Sequence, residues 1–128
     1  MGYRSQVTIG FKKETFTKFV GKNKEYFKDC DQILEDKENV IFVWEHVKWY
    51  DNYEDVKGIM KVVEDAIEGC PKCGVGFMRV GEEAGDIEST GEPYEFSIYS
   101  NTVIEIPELD SVKHDDFFAC NTIKIMKE

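Results

Sequence analysis

Apolar and polar residues alternate along Tyr3-Arg-Ser-Gln-Val-Thr-Ile-Gly-Phe11, with Tyr3, Ser5, Val7, Ile9 and Phe11 on one side and Arg4, Gln6 and Thr8 on the other. A period of two is that of a strand buried on one face. From Lys12 to Val20 the period lengthens, grouping Phe16, Phe19 and Val20 on one helical face, and Gly21 supplies a stop. A second helix is predicted over about Lys24 to Leu34, where Tyr26, Phe27, Cys30, Ile33 and Leu34 fall at spacings of three and four. Val40 to Tyr50 opens on five consecutive apolar residues and is rich in β-branched and aromatic types. That composition suits a central strand covered on both faces, with His46 sharing the side of Val40, Phe42 and Trp44.

Asp51 and Asn52 can start the next helix, in which Val56, Ile59, Met60, Val63 and Ile67 form one apolar stripe that closes near Gly69. The chain then turns through Cys70-Pro-Lys-Cys-Gly74 into a short strand, Val75 to Val80. Tyr94 to Tyr99 alternates as a further strand, Asn101 to Ile106 continues it or pairs beside it, and Phe117 to Met126 has the composition of a last one. Between these lies Gly81 to Pro93, with glycines at 81, 85 and 91, which predicts a long mobile loop. Helices interleaved with strands, then strands alone, indicate a single α+β domain over residues 1–128: a mostly antiparallel sheet with helices packed on one face, a two-layer sandwich.

Charge adds a partner class to this picture. The formal charge is −10, yet residues 1–28 carry seven basic and two acidic side chains. From Val80 to Val112, 33 residues pass without a lysine or arginine while nine carboxylates accumulate. Such a field repels nucleic acid and anionic membrane and attracts basic surfaces. The expected partner surface therefore comprises Glu82, Glu83, Asp86, Glu88, Glu92 and Glu95, with Trp49, Tyr50 or Tyr94 nearby as interface anchors. The first 13 residues lack the apolar stretch of a secretion signal, and the longest apolar run, Val40 to Trp44, is too short to span a bilayer. A cytoplasmic protein is expected.

Three segments also resemble a group of small proteins encoded by tailed bacteriophages and prophages: Met1-Gly-Tyr-Arg-Ser5, the Trp49-Tyr50 pair, and Arg79-Val-Gly-Glu-Glu-Ala-Gly-Asp-Ile-Glu88. The likeness runs from residue 1 to about residue 106. It implies an accessory protein acting in the bacterial host cytoplasm, with no activity assigned to the group. Cys70-Pro-Lys-Cys73 departs from the group's pattern.

Candidate chemistry is sparse. Cys70 and Cys73 have the spacing of half a zinc knuckle, which Cys30 and Cys120 would have to complete. A small zinc-stabilised module is thus the alternative to a binding protein, and otherwise no cofactor is expected. A redox role for the pair is disfavoured because it follows a helix, whose negative end opposes a thiolate. His46 and His114 read as structural or solvated, and no nucleophile motif or phosphate loop accompanies them. The acidic loop could hold calcium through Glu82, Glu83, Asp86 and Glu88, although its spacing matches no EF-hand. Those carboxylates can equally imitate DNA phosphates in the basic groove of a nucleic-acid-binding enzyme, as an inhibitor of host defence would. The leading expectation is a non-enzymatic protein that binds a basic surface on a host bacterial protein.

Overall fold

The computed structural model describes residues 3–69, 74–83, 85–100 and 104–118. Among the described residues there are eight strands: β1 (Ser5–Lys12), β2 (Gln32–Glu35), β3 (Asn39–Val47), β4 (Val75–Gly81), β5 (Ile87–Gly91), β6 (Tyr99–Ser100), β7 (Ile104–Glu105) and β8 (Asp110–Ser111). Six of them form one antiparallel sheet in the order β5-β4-β1-β3-β2-β8, and β6 pairs with β7 separately. The helices are α1 (Lys13–Phe19), α2 (Lys24–Phe27) and α3 (Glu54–Gly69). This is the expected α+β architecture, a mostly antiparallel sheet with helices.

Alternation along the strands decides which residues meet the helices. Val7, Ile9 and Phe11 of β1, Phe42 and Trp44 of β3, and Phe77 of β4 are buried together with Phe16 of α1, Phe27 of α2, and Val56, Ile59 and Val63 of α3. Phe42 lies at the middle of this core, its ring centroid within 6.4 Å of those of Phe11, Phe16, Phe27, Trp44, Phe117 and Phe118. The apolar stripe of α3 is what attaches it, and Glu54 and Asp55 in its first turn complement the positive end of its dipole.

The other face of the sheet is also covered. Leu34, Ile41, Val43, Met78 and Val80 pack against Phe96, Ile98 and Ile104, which belong to the chain after β5. Two glycines facing each other across the β1–β4 ladder, Gly10 and Gly76, make this approach possible. A Cβ on Gly10 would stand 2.7 Å from Cγ of Phe96, and one on Gly76 would stand 2.6 Å from the backbone nitrogen of Pro93.

Several local expectations are corrected. The second helix stops at Phe27, and Ile33 and Leu34 are strand residues paired with Phe42 and Ile41. The spacing of three and four misled there because the apolar residues on either side of Cys30 belong to different elements. Tyr94 to Tyr99 is a strand only at its end; Pro93–Phe96 is a 3-10 turn, closed by Ser97 in the left-handed conformation at φ 58°. His46 does not share the buried side of Trp44. Val7 pairs with Trp44 and Ser5 with Val47, so Glu45 and His46 bulge opposite Gln6 and both are exposed. Of the predicted last strand, Phe117 to Met126, the first two residues end a helical segment, 114–118, and the remainder lies outside the described residues.

Candidate functional site

The predicted mobile loop is instead a hairpin. β5 pairs with β4 through five residues, placing Glu88 opposite Arg79. Both side chains then project from the helix-bearing face, as does that of Asp86. The Arg79 guanidinium donates from Nη2 to Asp86 Oδ1 at 2.7 Å, from Nε to Glu88 Oε1 at 2.8 Å and from Nη1 to Ser5 Oγ at 3.0 Å. Its side chain is only 15% exposed. Tyr3 donates its hydroxyl to Asp86 Oδ2 at 2.7 Å and accepts the Glu83 N–H at 2.8 Å, while its own N–H donates to the Tyr50 hydroxyl at 2.6 Å. The Arg4 N–H donates to the Glu82 carboxylate. One planar cation and two phenols, those of Tyr3 and Tyr50, thus tie β1, β4, β5 and the loop before α3 together.

Electrostatics follow from these contacts. The guanidinium's hydrogen bonds, and then the Tyr3 hydroxyl, hold the Asp86 carboxyl below its ordinary value of 3.8. The native state therefore favours the ionised form. The stability this contributes is fully present above pH 3.8 and is lost as pH falls through the lower native value. Replacing Arg79 with methionine is expected to cost about 2 kcal/mol, since it removes the guanidinium donors from Asp86, Glu88 and Ser5 and leaves Asp86 with the Tyr3 hydroxyl alone. It should also flatten the acid limb of the stability curve. Urea unfolding between pH 3 and pH 7 checks both; an acid limb as steep in R79M as in the wild type would assign it to other carboxylates.

An open hollow of about 340 Å³ adjoins the cluster, bounded by Tyr3, Trp49, Tyr50, Asp51, Arg79, Asp86 and Glu88. Residues from three distant parts of the sequence meet at this hollow: Tyr3, then Trp49 and Tyr50, then Arg79, Asp86 and Glu88.

The other expected site residues divide between the two faces of the sheet. Trp49, 9% exposed, packs its ring at a tilt against those of Trp44 and Phe77 and is a core residue. Tyr50 is half-buried at the hollow. Tyr94, 63% exposed, belongs to the segment that covers the opposite face, where its ring stacks on Tyr99 at 5.5 Å. Glu92 and Glu95 lie on that same segment and are exposed, as are Glu82, Glu83 and Glu88. From Glu82 to Glu95, among the described residues, the ion pairs are those of Arg79 with Asp86 and Glu88; Lys13 pairs with Glu35 and Lys28 with Glu25.

Arg79, Tyr3 and Ser5 were not among the expected site residues. A hairpin reading centred on Glu83 and Ala84 would have placed Arg79 opposite Glu88, but Ile87-Glu-Ser-Thr-Gly91 has one apolar residue and too little alternation to announce a strand.

Of the proposed metal ligands, Cys70, Cys73 and Cys120 lie outside the described residues. Cys30 is buried, and burial, with Asp31 nearby, pushes its thiol up to about 12. His114 is not free in solvent: its Nε2 lies 2.6 Å from the Cys30 carbonyl and 3.5 Å from its sulfur. A carbonyl only accepts, so Nε2 carries the proton. Among the described residues no group of three His, Cys, Asp or Glu side chains is placed to hold a metal ion, and no helix is long and apolar enough to cross a membrane. Comparison with protein-family models, with curated proteins and with solved structures gives no match.

Proposed function

We propose that the protein is a non-enzymatic binding protein whose β4–β5 hairpin presents carboxylates to a basic surface on a partner protein. One observation carries this reading: Glu82, Glu83, Glu92 and Glu95 are exposed, and among the described residues none is taken up by an internal ion pair. The hollow beside Tyr50 adds less, because Arg79 in its wall already pairs with Asp86 and Glu88, which leaves Asp51 and the aromatic rings to favour a lysine or arginine side chain. In the phage-type setting that the resemblance implies, the partner is a protein of the bacterial host, and imitation of DNA phosphates is one way such a surface acts.

Charge steering of this kind weakens with salt. A tagged protein with Glu82, Glu83, Glu92 and Glu95 all replaced by glutamine is expected to fold normally, since these side chains are exposed. From bacterial lysate at low salt it should retain about a tenth or less of the partner captured by the wild type. Equal capture by both proteins, or capture by the wild type that ignores salt, would remove the electrostatic basis of the reading.

A further inference from the structure

β5 is the outermost strand at its end of the sheet, and among the described residues nothing pairs with its outer side. Its ladder to β4 fixes which backbone groups point outward. The Gly81 N–H donates to the Asp86 carbonyl at 2.8 Å, and the Glu92 N–H donates to the Val75 carbonyl at 2.9 Å. Between these ends Arg79 pairs with Glu88 and Phe77 with Thr90. Antiparallel alternation then turns the N–H and C=O groups of Glu88 and Thr90 toward β4, and those of Ser89 and Gly91 outward. Natural sheet edges are blunted by lysine, proline or a bulge. β5, Ile87-Glu-Ser-Thr-Gly91, has none of these, and its Ile87 side chain is 46% exposed. A groove runs beside it on the helix-bearing face, with Val56, Lys57, Met60, Lys61 and Glu64 of α3 on one side and Glu88 and Thr90 on the other; Lys61 is paired with Asp65 of the same helix.

We propose that β5 accepts an extended, basic segment of the partner as an added strand. Alternate side chains of that segment enter the groove along α3, and its lysines or arginines reach the carboxylates around the hairpin. The inference rests on the acidic-surface reading above and adds the recognition geometry. Charge selects the occupant. From Gly81 to Glu92 the chain holds five carboxylates and no cation, and although Asp86 and Glu88 share Arg79, the other three have no ion pair among the described residues. A second copy pairing through its own β5 would set the same five against them, on a molecule of formal charge −10.

The probe is a synthetic peptide in which lysine alternates with valine, measured by fluorescence anisotropy at low salt. Ser89→Pro blocks the outward edge while sparing the ladder to β4, because the lost N–H faces away from that ladder. Circular dichroism and thermal melting establish that S89P is folded. The expected result is binding to the wild type, about tenfold weaker binding to S89P, and a similar loss when the peptide's alternate amides are N-methylated. Amide exchange at Ser89 and Gly91 should slow in the complex. The N-methylated peptide and the exchange measurement use the wild-type protein, so they stand even if S89P does not fold. Binding that survives N-methylation without protecting those amides would overturn strand addition while leaving the charge reading intact. Binding unaffected by changing the peptide lysines to glutamate would overturn the charge reading, and no binding of the lysine peptide would overturn strand addition to a basic segment.

Discussion

Phe42→Ala is expected to lower the unfolding free energy by about 4 kcal/mol, the upper part of the range for deleting a buried aromatic side chain. Phe42 is fully buried, and six other aromatic rings lie against or near it, contributed by β1, β3, α1, α2 and the helical segment 114–118. Neighbours so widely distributed cannot all move inward together, so a cavity remains and the lost contacts are not recovered. Urea unfolding followed by tryptophan fluorescence gives the number. The slope should stay constant while the midpoint falls. A loss under about 1.5 kcal/mol would mean that the ring cluster collapses around the gap and is not the rigid centre described above.

The second large effect is expected from a change that adds a single methyl group. Gly76→Ala should cost about 2–3 kcal/mol through overpacking, because the new Cβ meets the main chain of Glu92 and Pro93 rather than the flexible end of a side chain. The turn at Pro93–Phe96 has to lift, and with it the bond from the Ile98 N–H to the Pro93 carbonyl, 3.1 Å long in the native structure. Amide exchange distinguishes this from general loosening. Protection should fall most at Ser97 and Ile98, whereas the amides of α3, on the opposite face, should open only with global unfolding. A melting temperature within about 1 °C of the wild type would show that the covering segment yields without cost, contrary to the close approach at Gly76.

These two positions also show how much the sequence discloses. β1, α1 and α3 were legible because each carries a sustained period of two or of between three and four, β3 because it opens on five consecutive apolar residues, and β4 as a short apolar stretch after a turn. β2 was hidden because Ile33 and Leu34 follow Phe27 at helical spacing, and their strand character comes from pairing with Ile41 and Phe42, a contact no local pattern records. β5 was hidden for a related reason. Its residues are mostly polar, and it is a strand because Arg79 anchors Asp86 and Glu88 across the turn. The abundance of carboxylates after Val80 was plain from composition. Their division was not: Asp86 and Glu88 are committed to Arg79, Glu82 and Glu83 crown the hairpin, and Glu92 and Glu95 ride on the segment across the sheet from Tyr50. Trp49 and Tyr94 were paired in expectation as interface aromatics, but the one is enclosed with Trp44 and Phe77 while the other stacks in the open on Tyr99.

The position of β1 has a consequence for how the chain acquires its shape. This strand, translated first, lies between β3 and β4, both of which reach it from later in the sequence. As the polypeptide leaves the ribosome, the edge of β1 that β4 will occupy stays open until residues beyond Phe77 have emerged. Closure of the sheet thereby waits for distant segments, and the intervening α3 is the ballast that has to be delivered before β4 can dock on a strand made well before it.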